Sequence, residues 1–235
     1  MSGTPATITR TERTFEVGPG AGAVSALAIA PPGAEIALAF AHGAGAGMRH
    51  PFMEAIAVRL AARRVATLRY QFPYMEKGLS RTDSPSVATA TVRAAVAAMR
   101  EQWPDAALFA GGKSFGSRMT STAMSLGLLP DVRGLVFFGF PLHPAGRPGR
   151  ERADHLDRVE APMLFLQGTR DALCDIELLG VVLERLDRRA RLRLWDGADH
   201  SFHVLKRSGR TDEQVLDELA ESAAQWMAEI AGATG

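Results

Sequence analysis

Short apolar runs of strand length recur along this chain, and helix-length segments separate most of them from the third run onward. That alternation restricts the fold more than any other feature. A strand that reads as an unbroken apolar run, with few polar residues alternating, must be covered on both faces. Strands alternating with helices place a mostly parallel sheet between two helical layers. The runs are Thr14–Val17, Val24–Ala30, Ile36–Ala41, Val65–Arg69, Ala107–Gly111, Gly134–Phe138, Met163–Gln167 and Arg191–Leu194. The helical segments are Pro51–Arg63, Ser86–Gln102, Phe115–Leu126, Ile176–Leu186 and Asp212–Ile230. Phe52, Ile56 and Leu60 share one face of the first, and Val215, Leu219, Ala223 and Trp226 one face of the last, the stripe that packs a helix on a sheet. Asp83 or Ser84 starts the second, with Pro85 in its first turn. Pro31-Pro32-Gly33 predicts an antiparallel hairpin between the second and third runs, at the sheet edge. Gln71–Pro85 and Pro141–Arg152, rich in Pro and Gly, read as loops. Loops after strands are where α/β sheets bind ligands.

The 235 residues suit one domain over 1–235, with 1–10 as a flexible N-terminus. A net charge of +1, from 27 basic and 26 acidic residues, argues against a nucleic-acid surface. Cys174 is the only cysteine, which rules out an internal disulfide and a thiolate metal cluster. No ligand spacing such as H-E-x-x-H occurs, so no metal is expected. The polar N-terminus lacks a signal-peptide core, and no run of about 18 apolar residues exists to cross a bilayer. The expected location is cytoplasmic.

Residues 109–117, FAGGKSFGS, admit two incompatible chemistries. Gly-Gly-Lys-Ser resembles the end of a Walker loop, but such a loop needs glycine five positions before Gly112, where Ala107 stands. Gly112-Lys113-Ser114-Phe115-Gly116 also spells G-x-S-x-G, which presents a serine between a strand and a helix. Ala107–Gly111 supplies the strand, and a helical pattern begins at Phe115. The strained turn brings backbone close to both glycines. A serine hydroxyl needs a base, and the base an orienting acid, in the chain order Ser, Asp, His on such a fold. Asp171 follows the run ending at Gln167, and His200 follows Arg191–Leu194. Asp175 suits a helix cap better than a catalytic acid, and His203 suits packing or support at a helix start. An oxyanion hole needs two backbone N–H donors: Phe115, next after the serine, and Ala44 in the loop His42–Gly47. That loop fails the dinucleotide pattern, because Met48 and His50 stand where glycine is required.

The stretches AHGAGAGMRHPFM, RYQFPYMEKG, GGKSFGSRM, VFFGFPLHPAGRPG, LFLQGTRDALC and GADHSFHV together resemble the α/β-hydrolase superfamily over nearly the full chain. The closer similarity is to a group including the testis-expressed protein 30 type and dienelactone-hydrolase-like proteins. The resemblance implies a three-layer α/β-hydrolase fold of about eight strands, helices on both faces and no large cap. It also implies Ser114 as nucleophile, Asp171 as acid and His200 as base. Ser117 stands where relatives often carry glycine.

The remaining polar and aromatic residues have bland and functional readings. His42 reads as a structural partner of the glycine loop. His42, Tyr70, Phe72 and His143 are also candidate pocket-lining residues, with Tyr74 beside them. Lys113 reads as a bystander pointing away from the pocket, or as part of a polar network beneath the serine. Arg118 either pairs with a carboxylate under the site or is solvated. The expected function is acyl hydrolysis of a small-molecule ester, thioester or related substrate, without cofactor, nucleic acid or membrane. The alternative is an idle hydrolase-like module that binds a ligand or partner.

Overall fold

In the computed structural model, which describes residues 8–232, every apolar run read from the sequence is a strand. The strands are β1 (Thr9–Glu16), β2 (Ala23–Ala30), β3 (Ile36–Ala41), β4 (Val65–Tyr70), β5 (Ala107–Lys113), β6 (Val132–Phe138), β7 (Met163–Gly168) and β8 (Ala190–Trp195). They form one sheet in the order β1-β2-β4-β3-β5-β6-β7-β8. All neighbours from β4 to β8 in the sheet order pair in parallel, and β2 alone runs against the rest, pairing antiparallel with both β1 and β4. The helices are α1 (Pro51–Ala62), α2 (Pro73–Glu76), α3 (Pro85–Gln102), α4 (Phe115–Ser125), α5 (Ile176–Leu186) and α6 (Asp212–Gly232).

The two faces of the sheet carry separate cores, because successive strand side chains point opposite ways. One face sets Leu38, Phe40, Phe109, Val136, Phe138, Leu164 and Leu166 against α1 and α6. The other sets Ala37, Ala39, Ala41, Ala110, Phe137 and Phe165 against α3, α4 and α5. Alanines along β3 leave room for α4 to come close, which matters for the serine turn. Helix starts follow the sequence signals. Ser84 accepts from the Val87 N–H with Pro85 first in α3, and Asp175 accepts from the Leu178 N–H at α5. Thr211 and Gln214 bond reciprocally at the start of α6, a capping box with Gln in the third helical position.

Two expectations are corrected. The antiparallel hairpin joins β1 to β2, whereas Pro31-Pro32-Gly33 leads from β2 across to β3, which pairs with β4 and β5. The turn signal was real, but it could not specify which strand edge the chain would reach. In the N-terminal stretch 1–10, Thr9 and Arg10 belong to β1, while 1–7 lie outside the described residues. The polar run Thr9–Glu16 forms a strand because it needs to cover only an edge, with its side chains largely in water. The loops also hold more order than their composition suggests: α2 in the first and a 3-10 segment, Glu151–Arg158, beginning at the end of the second.

Candidate active site

The site is built at the C-terminal ends of the parallel strands. β5 runs directly into Ser114, the cap residue of α4, with φ 53° and ψ −113°. Positive φ is costly for a residue with a Cβ, so surrounding contacts must enforce this turn. They do: a Cβ on Gly112 would lie 2.5 Å from the Ala41 carbonyl oxygen, and one on Gly116 2.4 Å from it. Only glycine fits at either position. Ser117 closes the turn from within, donating its hydroxyl to the Gly112 carbonyl at 2.5 Å.

Above this turn, His200 Nε2 lies 2.8 Å from Ser114 Oγ, and His200 Nδ1 lies 2.7 Å from Asp171 Oδ2. A carboxylate only accepts, so Nδ1 carries the proton and Nε2 is left to accept from the serine hydroxyl. The Asp171 side chain is fully buried and the His200 ring is a quarter exposed. Two further donors hold Asp171: Gln167 Nε2 at 2.6 Å to Oδ2 and the Leu173 N–H at 2.8 Å to Oδ1. Gln167 is fixed in turn by accepting from the Phe140 N–H at 2.9 Å. Sequence reading placed Gln167 only as the end of a strand; its polar side chain in a fully buried run was the available signal.

The loop after β3 lies beside the serine, with the Cβ position of Gly43 3.6 Å from Ser114 Cβ. The Ala46 N–H bonds to the Gly43 carbonyl, and Gly45 has φ +72° while Ala44 is not left-handed. This is a type II turn with Ala44 in its second position. Among the described residues, the N–H groups of Ala44 and Phe115 donate to no protein acceptor. Phe115 begins α4, where helical N–H groups lack intrahelical partners.

The cavity over Ser114 has a volume of about 360 Å³. Its walls include Ala44, His50, Phe52, Met53, Leu173 and His200. The four residues expected to line it are elsewhere. His42, Tyr70 and Phe72 are completely buried, and His143 nearly so. His42, Phe72 and His143 brace loops instead of facing substrate, and Tyr70 packs against Phe15 and Phe72. His42 Nε2 accepts from the Phe72 N–H at 3.1 Å, which leaves Nδ1–H to donate to the Gly43 carbonyl at 2.7 Å. Burial pushes the His42 pKa down from 6.5 to about 4, with the Gly43 bond opposing. Tyr74 accepts from the Gly45 N–H and Gln71 from the Met48 N–H, completing a clamp on the same loop. His143 Nε2 accepts from the Asp175 N–H at 2.9 Å and so braces the segment carrying Asp171.

The rival candidates separate by contact. Asp175 caps α5, and His203 pairs with Asp212 at the start of α6. Cys174 is buried, and burial first, then the charges of Asp171 and Asp175, push its thiol up to about 12. That is the opposite of an activated nucleophile. Arg118 has no carboxylate partner among the described residues; it is half-buried, with Arg152 as a charged neighbour. Lys113 is no bystander. It is buried beside the cavity, its ammonium bonded to the His200 carbonyl. Burial pulls its pKa from 10.5 to about 8, with Asp171 and Asp199 opposing.

The comparisons agree with this fold. The alpha/beta hydrolase domain profile matches residues 34–228. A dienelactone hydrolase from Anabaena variabilis superposes with a TM-score of 0.73 at 21% identity, covering 94% of this chain and 98% of its own. A lidless α/β serine hydrolase from Xanthomonas campestris gives 0.72 at 22% identity, over 95% and 98%. The esterase domain of a Rhodothermus marinus protein gives 0.70 at 18%, over 93% and 97%. At these identities the structural likeness speaks for the fold alone, whereas the profile spans most of the chain. With no cap inserted over a serine turn at the centre of the sheet, this chain belongs to the α/β hydrolase family.

Proposed function

We propose that the protein is a serine hydrolase that cleaves an ester, thioester or related acyl bond through an acyl-enzyme. The observation that carries this reading is the unbroken chain Asp171–His200–Ser114, bonded at 2.7 and 2.8 Å beneath an open cavity. Ser114 Oγ attacks the acyl carbonyl while His200 Nε2 takes its proton. Asp171 holds the imidazole in the required tautomer and stabilises its charged form. The carbonyl oxygen, now negative, accepts from the Ala44 and Phe115 N–H groups. His200 then returns the proton to the leaving group, and water repeats the sequence to free the acid. The chain supplies every group these steps use. The mainly apolar walls at Ala44, Phe52, Met53 and Leu173 suit an uncharged acyl group of small to medium size. The neighbours' names, a dienelactone hydrolase and an esterase, point the same way.

The test is labelling by a fluorophosphonate together with turnover of p-nitrophenyl esters of increasing acyl length. Labelling and turnover that both vanish in Ser114→Ala are the expected result. A folded wild-type protein that neither labels nor turns over any ester would reject the reading in favour of an idle binding module.

A further inference from the structure

A buried cation is costly to keep unless something uses it. Lys113 is only 9% exposed, and no carboxylate is bonded to it. Its stem passes the oxyanion loop, with Cγ 3.7 Å from the Cβ position of Gly43. Its ammonium reaches under the base loop to the His200 carbonyl and lies 5.7 and 5.4 Å from the ring centres of Phe52 and Phe202. Those rings stack at 5.8 Å, so the charge rests against two aromatic faces. Gly139, left-handed at φ +70°, leaves the space the ammonium occupies; a Cβ there would lie 2.9 Å from Nζ.

The base loop needs such a hold. It runs from the end of β8 to the 3-10 turn at Lys206 without regular structure, and Phe202 within it has φ 64°. Among the described residues, the His200 carbonyl accepts only from Lys113, and the His200 N–H donates to no protein group. The bonds to Asp171 and Ser114 orient the ring only if the backbone beneath it stays in place.

We propose that Lys113 is a positioning residue for His200, anchoring its backbone so that the imidazole stays in line between Asp171 and Ser114. This rests on the serine-hydrolase reading for its kinetic consequence, though not for its geometric one. The residue beside the nucleophile thereby links three parts of the site: the serine turn, the oxyanion loop and the base loop.

Lys113→Met keeps the stem and removes the charge. With a p-nitrophenyl ester, kcat is expected to fall about 10–100-fold, as for small misplacements of a reacting group. KM should stay near the wild-type value, and the thermal midpoint should move little, because the loss of a buried charge offsets the loss of the bond to the His200 carbonyl. Lys113→Cys should be equally slow, and treatment with bromoethylamine, which rebuilds a lysine-like ammonium, should restore most of the rate. The pair decides the matter even if the Met variant is unstable, since treated and untreated protein come from one preparation. A Lys113→Met enzyme at wild-type kcat would overturn the proposal, as would an aminoethylated Lys113→Cys that stays slow while folded. The far-downfield proton resonance of His200 Nδ1–H, bonded to Asp171, gives a readout independent of turnover. Its loss in Lys113→Met supports positioning even if the wild type hydrolyses nothing, an outcome that would reject only the hydrolase reading. An unchanged resonance in a wild-type-like Lys113→Met would reject positioning and leave that reading intact.

Discussion

His42 and His200 each lie in a loop beyond the C-terminal end of a strand, and each has both ring nitrogens hydrogen-bonded. Their partners differ. His42 sits between a carbonyl that only accepts and an amide N–H that does not give up its proton, so its tautomer is fixed and no proton moves. His200 sits between a carboxylate and a hydroxyl, so a proton can pass from serine to imidazole and the resulting charge is stabilised. Saturation of the ring's hydrogen bonds therefore does not fit a histidine for proton transfer; the chemistry of the partners does. Burial follows the same division, with His42 sealed off and His200 open at one edge.

The sharpest test is the same substitution at both sites. His200→Gln should lower kcat/KM by about 10⁴-fold or more while leaving the unfolding midpoint near wild type. His42→Gln should instead cost about 1–3 kcal/mol of stability, measured by urea denaturation, and keep most of its rate below the transition. A stable His42→Gln enzyme that has lost all activity would break the comparison.

Next in size is the loop that His42 holds. Ala44 occupies the second position of a type II turn, which proline favours. Ala44→Pro should thus preserve the turn and delete only one N–H donor. A fall of about 10²–10³-fold in kcat is expected, the usual loss for one oxyanion-hole donor. An unaffected kcat would remove Ala44 from the oxyanion hole.

His42 also shapes how the stability of the fold responds to acid. Above pH 6.5, His42 is neutral in folded and unfolded chains alike. Between 6.5 and about 4 only the unfolded chain takes up the proton, so stability falls as pH falls through that window. The loss is about 3 kcal/mol at most. His155, pulled down to about 4 by burial and then by Arg118 and Arg158, contributes over the same range. The His42 share is therefore the difference between wild type and His42→Gln in denaturation curves across pH 4–7. Parallel stability profiles for the two proteins would contradict it.

Much of this was legible in the sequence, for physical reasons. Strands covered on both faces are unbroken apolar runs, so the central ones could be read along most of their length, whereas the exposed edge strand β1 was legible only at its end; the serine turn announced itself through Gly112 and Gly116, where a Cβ would strike the Ala41 carbonyl. The order Ser114, Asp171, His200 follows from each lying past a strand end. The cavity walls were not legible, because a loop residue's direction depends on the tertiary clamp around it. Tyr70, Phe72 and Tyr74 resemble pocket aromatics, yet they pack on one another and on His42, with ring centres 5.0–6.5 Å apart. Part of the wall comes instead from the first turn of α1, where Phe52 and Met53 read only as helix residues.

The smallest expected effect concerns what makes the partners of His200 different from those of His42, the charge on Asp171. Gln167 donates to the same oxygen that accepts the His200 proton and is braced by the Phe140 N–H. Gln167→Met keeps the volume but removes both bonds. With the Leu173 N–H still bound to Oδ1, the carboxylate keeps one anchor and gains freedom to turn about it. About a tenfold fall in kcat with KM unchanged is expected, larger looseness being limited by the buried surroundings. If kcat holds while KM rises, Gln167 shapes the cavity and does not orient the acid. If both hold, the Leu173 N–H and His200 suffice to fix Asp171, and the contrast between the two histidines rests on that carboxylate without further support.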